Sequence, residues 1–457
     1  MEGKPFKHAV VLGSGMAGLV TSRILADHFE RVTVLERDAA PDGAGPRPGV
    51  PQGKHFHALL PGGLLILAEL FPGVLDELKN AGSLLPAPDQ FYFFRPEGKS
   101  YTLGAYMPTP PPDTGQRFIY VQSRGLLEHC VRARVTALDN VELRYGARVE
   151  DITADGDRVT GVRVAHGGEP IAAELVVDAM GRGGKTLQWL DRLGFERPVE
   201  NVVHCDFAYT SVFMRPRSPE IFRDVGFFVM SSPVGRGGGL VRMEHGLWLA
   251  SVGGRHGDYP PRDLEGMLQY ANSIGEPFFT ELLAQADAVT DPGSYRFEQS
   301  VRRRFEQLQR FPEGLLPIGD AICHYNPLYG QGMSAACRQA MALRRCLQQR
   351  VASGAGLAAL WRDFLPEAYQ ETRAPWLFAA LADFRDPRCK GDFPTEESEL
   401  IPLLAHVVAE TAAGDPQALP VALAIQSLVA PLEILRQPPW PERLAAAASS
   451  AQGTTAS

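Results

Sequence analysis

Three glycines, Gly13, Gly15 and Gly18, stand in a G-x-G-x-x-G spacing inside "VVLGSGMAGLVTSRILADHFERVTVLERD", Val10 to Asp38. That spacing holds a pyrophosphate. The first glycine permits a tight turn, the second lets the phosphates approach the backbone, and the third lets helix and strand pack closely. The loop residues Ser14, Met16 and Ala17 carry N–H groups at the start of a predicted helix, where unpaired donors and the helix dipole favour an anion. Glu36, followed by Arg37, ends the next apolar run, 18 residues beyond Gly18. A carboxylate there accepts hydrogen bonds from an adenosine ribose and repels a 2′-phosphate. NAD and FAD both carry this ADP unit, so the fingerprint alone does not choose between them.

The choice comes from far downstream, in "GLLPIGDAICHYNPLYGQGMSAACRQAMAL", Gly314 to Leu343. An apolar strand ends in Gly319-Asp320, a loop with Pro327 follows, and Gly330-Gln331-Gly332 opens a helix. This pattern resembles the FAD-dependent aromatic hydroxylase superfamily, with the fold type of para-hydroxybenzoate hydroxylase. The resemblance implies that Asp320 bonds the ribityl chain or its neighbouring phosphate. It implies that Gly330, Gly332 and Met333 bring the helix N-terminus to the pyrimidine edge of the flavin. It also implies that Pro327 stands beside the ring where oxygen reacts. "QSRGLLEHC" and "GARVEDI" resemble two further family segments, which puts Arg124 and Val149 at the cofactor.

"PRPGVPQGKHFHALLPGGLLIL" from Pro46 is similar to a bacterial subgroup that includes the olefin epoxidases of polyether biosynthesis, as are stretches from Val176 and Thr372. By that likeness Gln52, Lys54 and His57 line the flavin edge. Asp178 takes the place of the Asp of an Asp-Gly pair that many relatives use for FAD and nicotinamide, but here Ala179 follows it. Direct reduction by NADPH or NADH is therefore open, and a separate flavin reductase is the alternative electron source.

In such enzymes reduced flavin and O2 give a C4a-hydroperoxide, and the protein binds, orients and excludes water. The implied reaction inserts one oxygen atom into an apolar organic substrate, by epoxidation of an olefin in secondary metabolism. The aromatic residues Phe93, Phe207, Tyr209, Phe213 and Phe227 suit such a substrate. Aromatic or polyketide hydroxylation is the alternative, as is a non-oxygenating flavoenzyme such as a prenyl-chain reductase or dehydrogenase. A halogenase's Trp-x-Trp-x-x-Pro segment is missing from the sequence.

The elements that must position these residues follow from hydrophobic period. Strands are predicted at Lys7–Leu12, Val32–Leu35 and Leu315–Ile318, and helices at Met16–Phe29, Leu59–Leu78 and Met333–Val351. Between Val202 and Val252 short apolar strands alternate with Gly-rich turns, which predicts a mostly antiparallel sheet. The expected architecture is α/β (α+β). A Rossmann-like FAD-binding domain (1–85, 113–195, 301–355) is interleaved with a substrate domain (86–112, 196–300). A helical region (356–445) and a disordered tail (446–457) complete it.

With 457 residues the chain exceeds a single core. A net charge of −8 excludes nucleic acid as the main partner. Six scattered cysteines offer no Cys-x-x-Cys spacing, so no metal is expected and a cytoplasmic, reducing setting is. No apolar run reaches transmembrane length.

Overall fold

Runs such as Ala9-Val10-Val11-Leu12, with no exposed surface, are too uniformly apolar for a half-exposed strand and require cover on both faces. A computed structural model describes residues 3–57, 59–87, 89–94, 100–102, 119–165, 169–230, 235–393, 395–413 and 415–454. In it these runs form a five-stranded parallel sheet. Its order is Leu315–Pro317, Leu175–Asp178, Phe6–Leu12, Phe29–Leu35, Val141–Arg144. Leu12 pairs with Leu35 on one side and Asp178 on the other, Pro317 pairs with Asp178, and Leu35 pairs with Arg144. All five strands thus end at one edge, and residues three hundred positions apart in sequence emerge there together. Helices Met16–His28, Arg124–Thr136 and Gly332–Ala352 share the core of this sheet.

A second, larger sheet is antiparallel except where Gly226–Met230 runs parallel to Phe91–Phe94. Its long strand, Glu200–Pro216, lies between Trp248–Arg255 and Gly293–Arg303. The expected run of short strands is therefore partly one strand of 17 residues, bent at Asp206, where φ is +36° and the register shifts. Helices Leu264–Asn272 and Pro277–Leu283 cover one face of this sheet; its other face is turned to the segment around His55. A small three-stranded sheet (Val149–Asp155, Arg158–Val164, Ile171–Ala172) stands apart.

Two expectations change. The single helix Leu59–Leu78 is two helices, Pro61–Leu70 and Val74–Asn80, because Pro72-Gly73 interrupts it with Gly73 at φ +85°. The tail expected to be disordered from 446 is instead part of a helix, Trp440–Thr454. Its Ala445–Ala448 run has the highest intrinsic helix propensity. Residues 455–457 and most of the 86–112 insertion lie outside the described residues.

Candidate functional site: a nucleotide cradle continuous with a ring-end loop

Gly13 must be glycine: its φ is +94° and a Cβ would stand 2.9 Å from the Ala179 carbonyl oxygen. A Cβ on Gly18 would stand 1.9 Å from the Gly13 carbonyl oxygen. Gly15 is different. A Cβ there meets nothing within 4 Å, and its φ of −71° suits any residue. It caps the helix Met16–His28, whose first N–H groups receive no side-chain cap. Open space, bare donors and a helix N-terminus together fit a pyrophosphate.

Glu36 is buried beside this loop. Its Oε2 accepts from Ser14 N (2.9 Å) and Ser14 Oγ (2.7 Å) and pairs with Arg47 (2.9 Å). Its Oε1 accepts from Asp38 N (3.1 Å), which leaves one acceptor direction for a ribose hydroxyl. Burial pushes the Glu36 carboxyl up, but Arg47 and these hydrogen bonds outweigh it and hold the pKa below its ordinary value. Arg47 also pairs with Asp38 (2.9 Å) and Glu128 (2.6 Å), and Glu128 with Arg124 (3.1 Å) and Arg132 (3.5 Å). Three arginines and three carboxylates thus form one buried cluster beside the Gly13–Gly18 loop. Sequence reasoning missed Arg47, whose partner Glu128 lies 81 residues away. Arg37, by contrast, is exposed. Glu36→Ala removes a charge-assisted acceptor of roughly 1.5–3 kcal/mol and leaves Arg47 short of one partner. FAD affinity and apoprotein Tm should therefore both fall, measured by titration and thermal denaturation.

Gly319-Asp320 emerges from the same sheet edge, where Ile318 N donates to Asp178 O (3.0 Å). The Asp320 carboxylate is half-buried and receives no hydrogen bond from any described residue. Burial pushes it up to about 6, against the pull of Arg182, Arg124 and Arg303. A Cβ on Gly332 would lie 3.8 Å from Asp320 Oδ1, so the start of the helix Gly332–Ala352 faces it. That helix too lacks a side-chain cap. Pro327 opens the turn Pro327–Tyr329, which ends at Gly330 with φ +68°. Met333 is half-buried beside this turn.

Asp178 and Val149 are already engaged by donors of the chain itself. The fully buried Asp178 spends both oxygens on Met180 N (3.2 Å), Lys185 N (2.9 Å), Thr186 N (3.0 Å) and Thr186 Oγ1 (2.7 Å). It organises the loop after its strand, with three of the four donors on Oδ2 and one on Oδ1. Val149 is buried and its carbonyl accepts from Lys185 Nζ (3.1 Å).

The segment Gln52–His57 joins the two ends. Gln52 is half-buried. The exposed Lys54 lays its stem over Gly293, where a Cβ would stand 3.3 Å from the lysine Cβ. His57 Nδ1 lies 3.0 Å from His55 O, and burial with nearby Arg124 pushes its pKa down to about 4. His55 is buried against Tyr209 and lies 2.9 Å from Ser211 Oγ, itself 2.8 Å from Ser251 Oγ. Burial, helped by His57 and Lys54, pushes the His55 pKa down to about 3, so its ring is neutral at neutral pH.

Phe207, Tyr209, Ser211 and Phe213 alternate along one strand and so share the face that meets His55. Phe93 and Phe213 belong to a cluster with Phe56 and Phe228. Phe227 does not join them. With no exposed surface, it packs against Phe278 and Phe279 of the covering helices on the opposite face. It is a core residue because a strand period of two puts it opposite Phe228.

No family model matches the chain. The protein Rv3254 of Mycobacterium tuberculosis is 35% identical over 394 residues, 83% of this chain and 81% of its own length. The chain belongs to the family of Rv3254. Solved structures extend the likeness of this Rv3254-family chain at the level of fold. The flavin-dependent brominase Bmp2 is 15% identical with a TM-score of 0.64, covering 92% of this chain and 98% of its own. PqsL of Pseudomonas aeruginosa is 17% identical with a TM-score of 0.58, covering 91% and 99%. The family member therefore has the mixed α/β fold of flavin-dependent monooxygenases. Among its described residues no helix is long and apolar enough to cross a membrane.

Proposed function

We propose that this protein is an FAD-dependent monooxygenase that places one atom of O2 into an apolar organic substrate. The observation that carries the reading is the meeting, at one sheet edge, of the open Gly15 loop and the Asp320 carboxylate, which has no hydrogen-bond donor among the described residues. Gly13 to Gly18 and Glu36 hold the ADP half, and Asp320 with the Gly332 helix start holds the ribityl and ring half. FAD, when bound, supplies the oxygen activation. The chain's own residues do the rest. The uncapped helix start at Gly332 favours negative charge at the pyrimidine edge. Phe56, Phe93, Phe213 and Phe228 form a wall that excludes water and orients an apolar molecule. Epoxidation of an olefin needs little acid–base help and suits such a wall. NADPH or NADH is the ultimate reductant, directly or through a flavin reductase.

A second reading is hydroxylation of a phenol. It is favoured by the buried His55–Ser211–Ser251 chain, which gives the aromatic wall one hydrogen-bonding strip. His55→Ala separates the two. A phenol substrate should lose kcat/KM, since the neutral His55 ring orients its hydroxyl by a hydrogen bond, whereas an olefin should be converted at a nearly unchanged rate. Oxygen-18 incorporation into polyenes and phenols, with oxygen uptake recorded, tests both readings. Alkene reduction without oxygen uptake would replace them by a reductase.

A further inference from the structure

The turn that carries Pro327 does not hold itself in place. Asn326 is fully buried, and its Oδ1 caps the turn by accepting from Leu328 N (3.1 Å). Its Nδ2 donates to Asp383 Oδ1 (2.9 Å), at the end of the helix Leu360–Asp383. The same oxygen accepts from Tyr329 Oη (2.7 Å), at the other end of the turn, and from Arg255 (2.8 Å) in the second sheet. Arg255 in turn reaches Tyr329 Oη (3.3 Å) and lies over the Phe207 ring. Asp383 has no exposed surface, and its Oδ2 has no hydrogen-bond partner among the described residues.

A buried carboxylate that gathers three donors on one oxygen and leaves the other bare is poor stabilising chemistry. A buried ion pair barely offsets its desolvation, and apolar replacements often stabilise more. Its geometry serves position instead: one atom fixes both ends of the Pro327 turn and ties them to the aromatic face. Independent contacts point the same way. Gln331, at the cap of the following helix, donates to Gln426 O (3.2 Å). Arg338 of that helix donates to Leu428 O (3.0 Å), and Gly62 N donates to Ser427 O (2.9 Å). The C-terminal helices thus brace both loops at the ring end.

We propose that Asp383 is the positioning residue of the ring-end turn, setting the site that meets the isoalloxazine through Asn326, Tyr329 and Arg255. The proposal rests on the reading of the site as an FAD site. Asp383→Asn and the milder Tyr329→Phe, which removes one donor, are loaded with FAD beside the wild type and a Glu433→Gln control in the same helical region. Affinity for FAD should stay close to wild type, since the pyrophosphate loop is untouched. The visible circular dichroism of bound flavin should lose most of its intensity in Asp383→Asn, part of it in Tyr329→Phe and none in Glu433→Gln. If Asp383→Asn does not fold, Tyr329→Phe decides alone. A lower Tm with wild-type flavin dichroism makes Asp383 a stability residue and overturns the inference. A wild type that takes up no FAD overturns the underlying reading as well.

Discussion

Gly15→Val yields a folded protein that no longer takes up FAD. The substituted side chain meets no protein atom, because a Cβ at Gly15 has nothing within 4 Å and the backbone there is extended. Valine is a poorer cap than glycine, so apoprotein Tm should fall by only about 1–3 °C. The branched side chain instead fills the space of the phosphates, and affinity should drop by on the order of 100-fold or more. Gly18→Ala is the informative partner. Its Cβ would stand 1.9 Å from the Gly13 carbonyl oxygen, so the loop must shift even without ligand. That variant should lose roughly 3 kcal/mol of apoprotein stability, as overpacking of a tight contact does. Thermal denaturation with and without FAD separates the two glycines. A Gly15→Val protein with wild-type affinity would remove the loop from the site.

Asp320→Asn should stabilise the apoprotein while weakening FAD binding. The carboxyl, pushed up to about 6 by burial, holds its proton more tightly folded than unfolded. Its ionisation therefore costs stability above pH 6. The cost is relieved as pH falls through 6 and is gone near pH 4, where the unfolded group also protonates. Allowing for its contact with solvent, the effect is on the order of 1 kcal/mol at pH 7, and the asparagine variant escapes it. Binding has the opposite sign. A ribityl hydroxyl donating to the carboxylate favours the ionised form, so FAD affinity should fall as pH drops below 6. The slope is at most about tenfold per pH unit. In Asp320→Asn the slope disappears. Asp320→Ala should lose roughly 10- to 100-fold in affinity at pH 7, the worth of a charge-assisted hydrogen bond. FAD titrations between pH 5 and 8, paired with apoprotein melts, read both effects. A pH-independent wild-type affinity would release Asp320 from the cofactor.

The parts of the site legible in the sequence are those whose signal is local. Gly13, Gly15, Gly18 and Glu36 share one strand–helix–strand unit, and Gly319-Asp320 stands one loop before the helix Gly332–Ala352. Parallel register then brings the two groups to one edge without further information. What could not be read depends on distant partners. That Lys185 and Thr186 donate to Asp178 leaves no local mark in the sequence, because those donors sit seven and eight residues on, across a turn. Phe227 and Phe228 are equivalent in composition, and only the register of Gly226–Met230 assigns one to the helix-covered core and the other to the opposite face. Arg47 and Asp383 act on residues 81 and 57 positions away, and no local pattern announces either pairing. The C-terminal helices read as an appendage because the carbonyls they offer to Gln331, Arg338 and Gly62 come from the backbone, which leaves no mark in residue types.

The central claim is that the Gly15 loop and the Asp320 edge hold one FAD between them. Equilibrium titration of the purified, full-length protein with FAD and with ADP, followed by visible absorbance and by melting temperature, tests it most directly. The account predicts saturable FAD uptake with a perturbed flavin spectrum. It also predicts that Gly15→Val abolishes binding of both ligands, while Asp320→Ala weakens FAD and leaves ADP unchanged. A folded wild-type protein that binds no FAD, or an Asp320→Ala protein that loses both ligands equally, would contradict it.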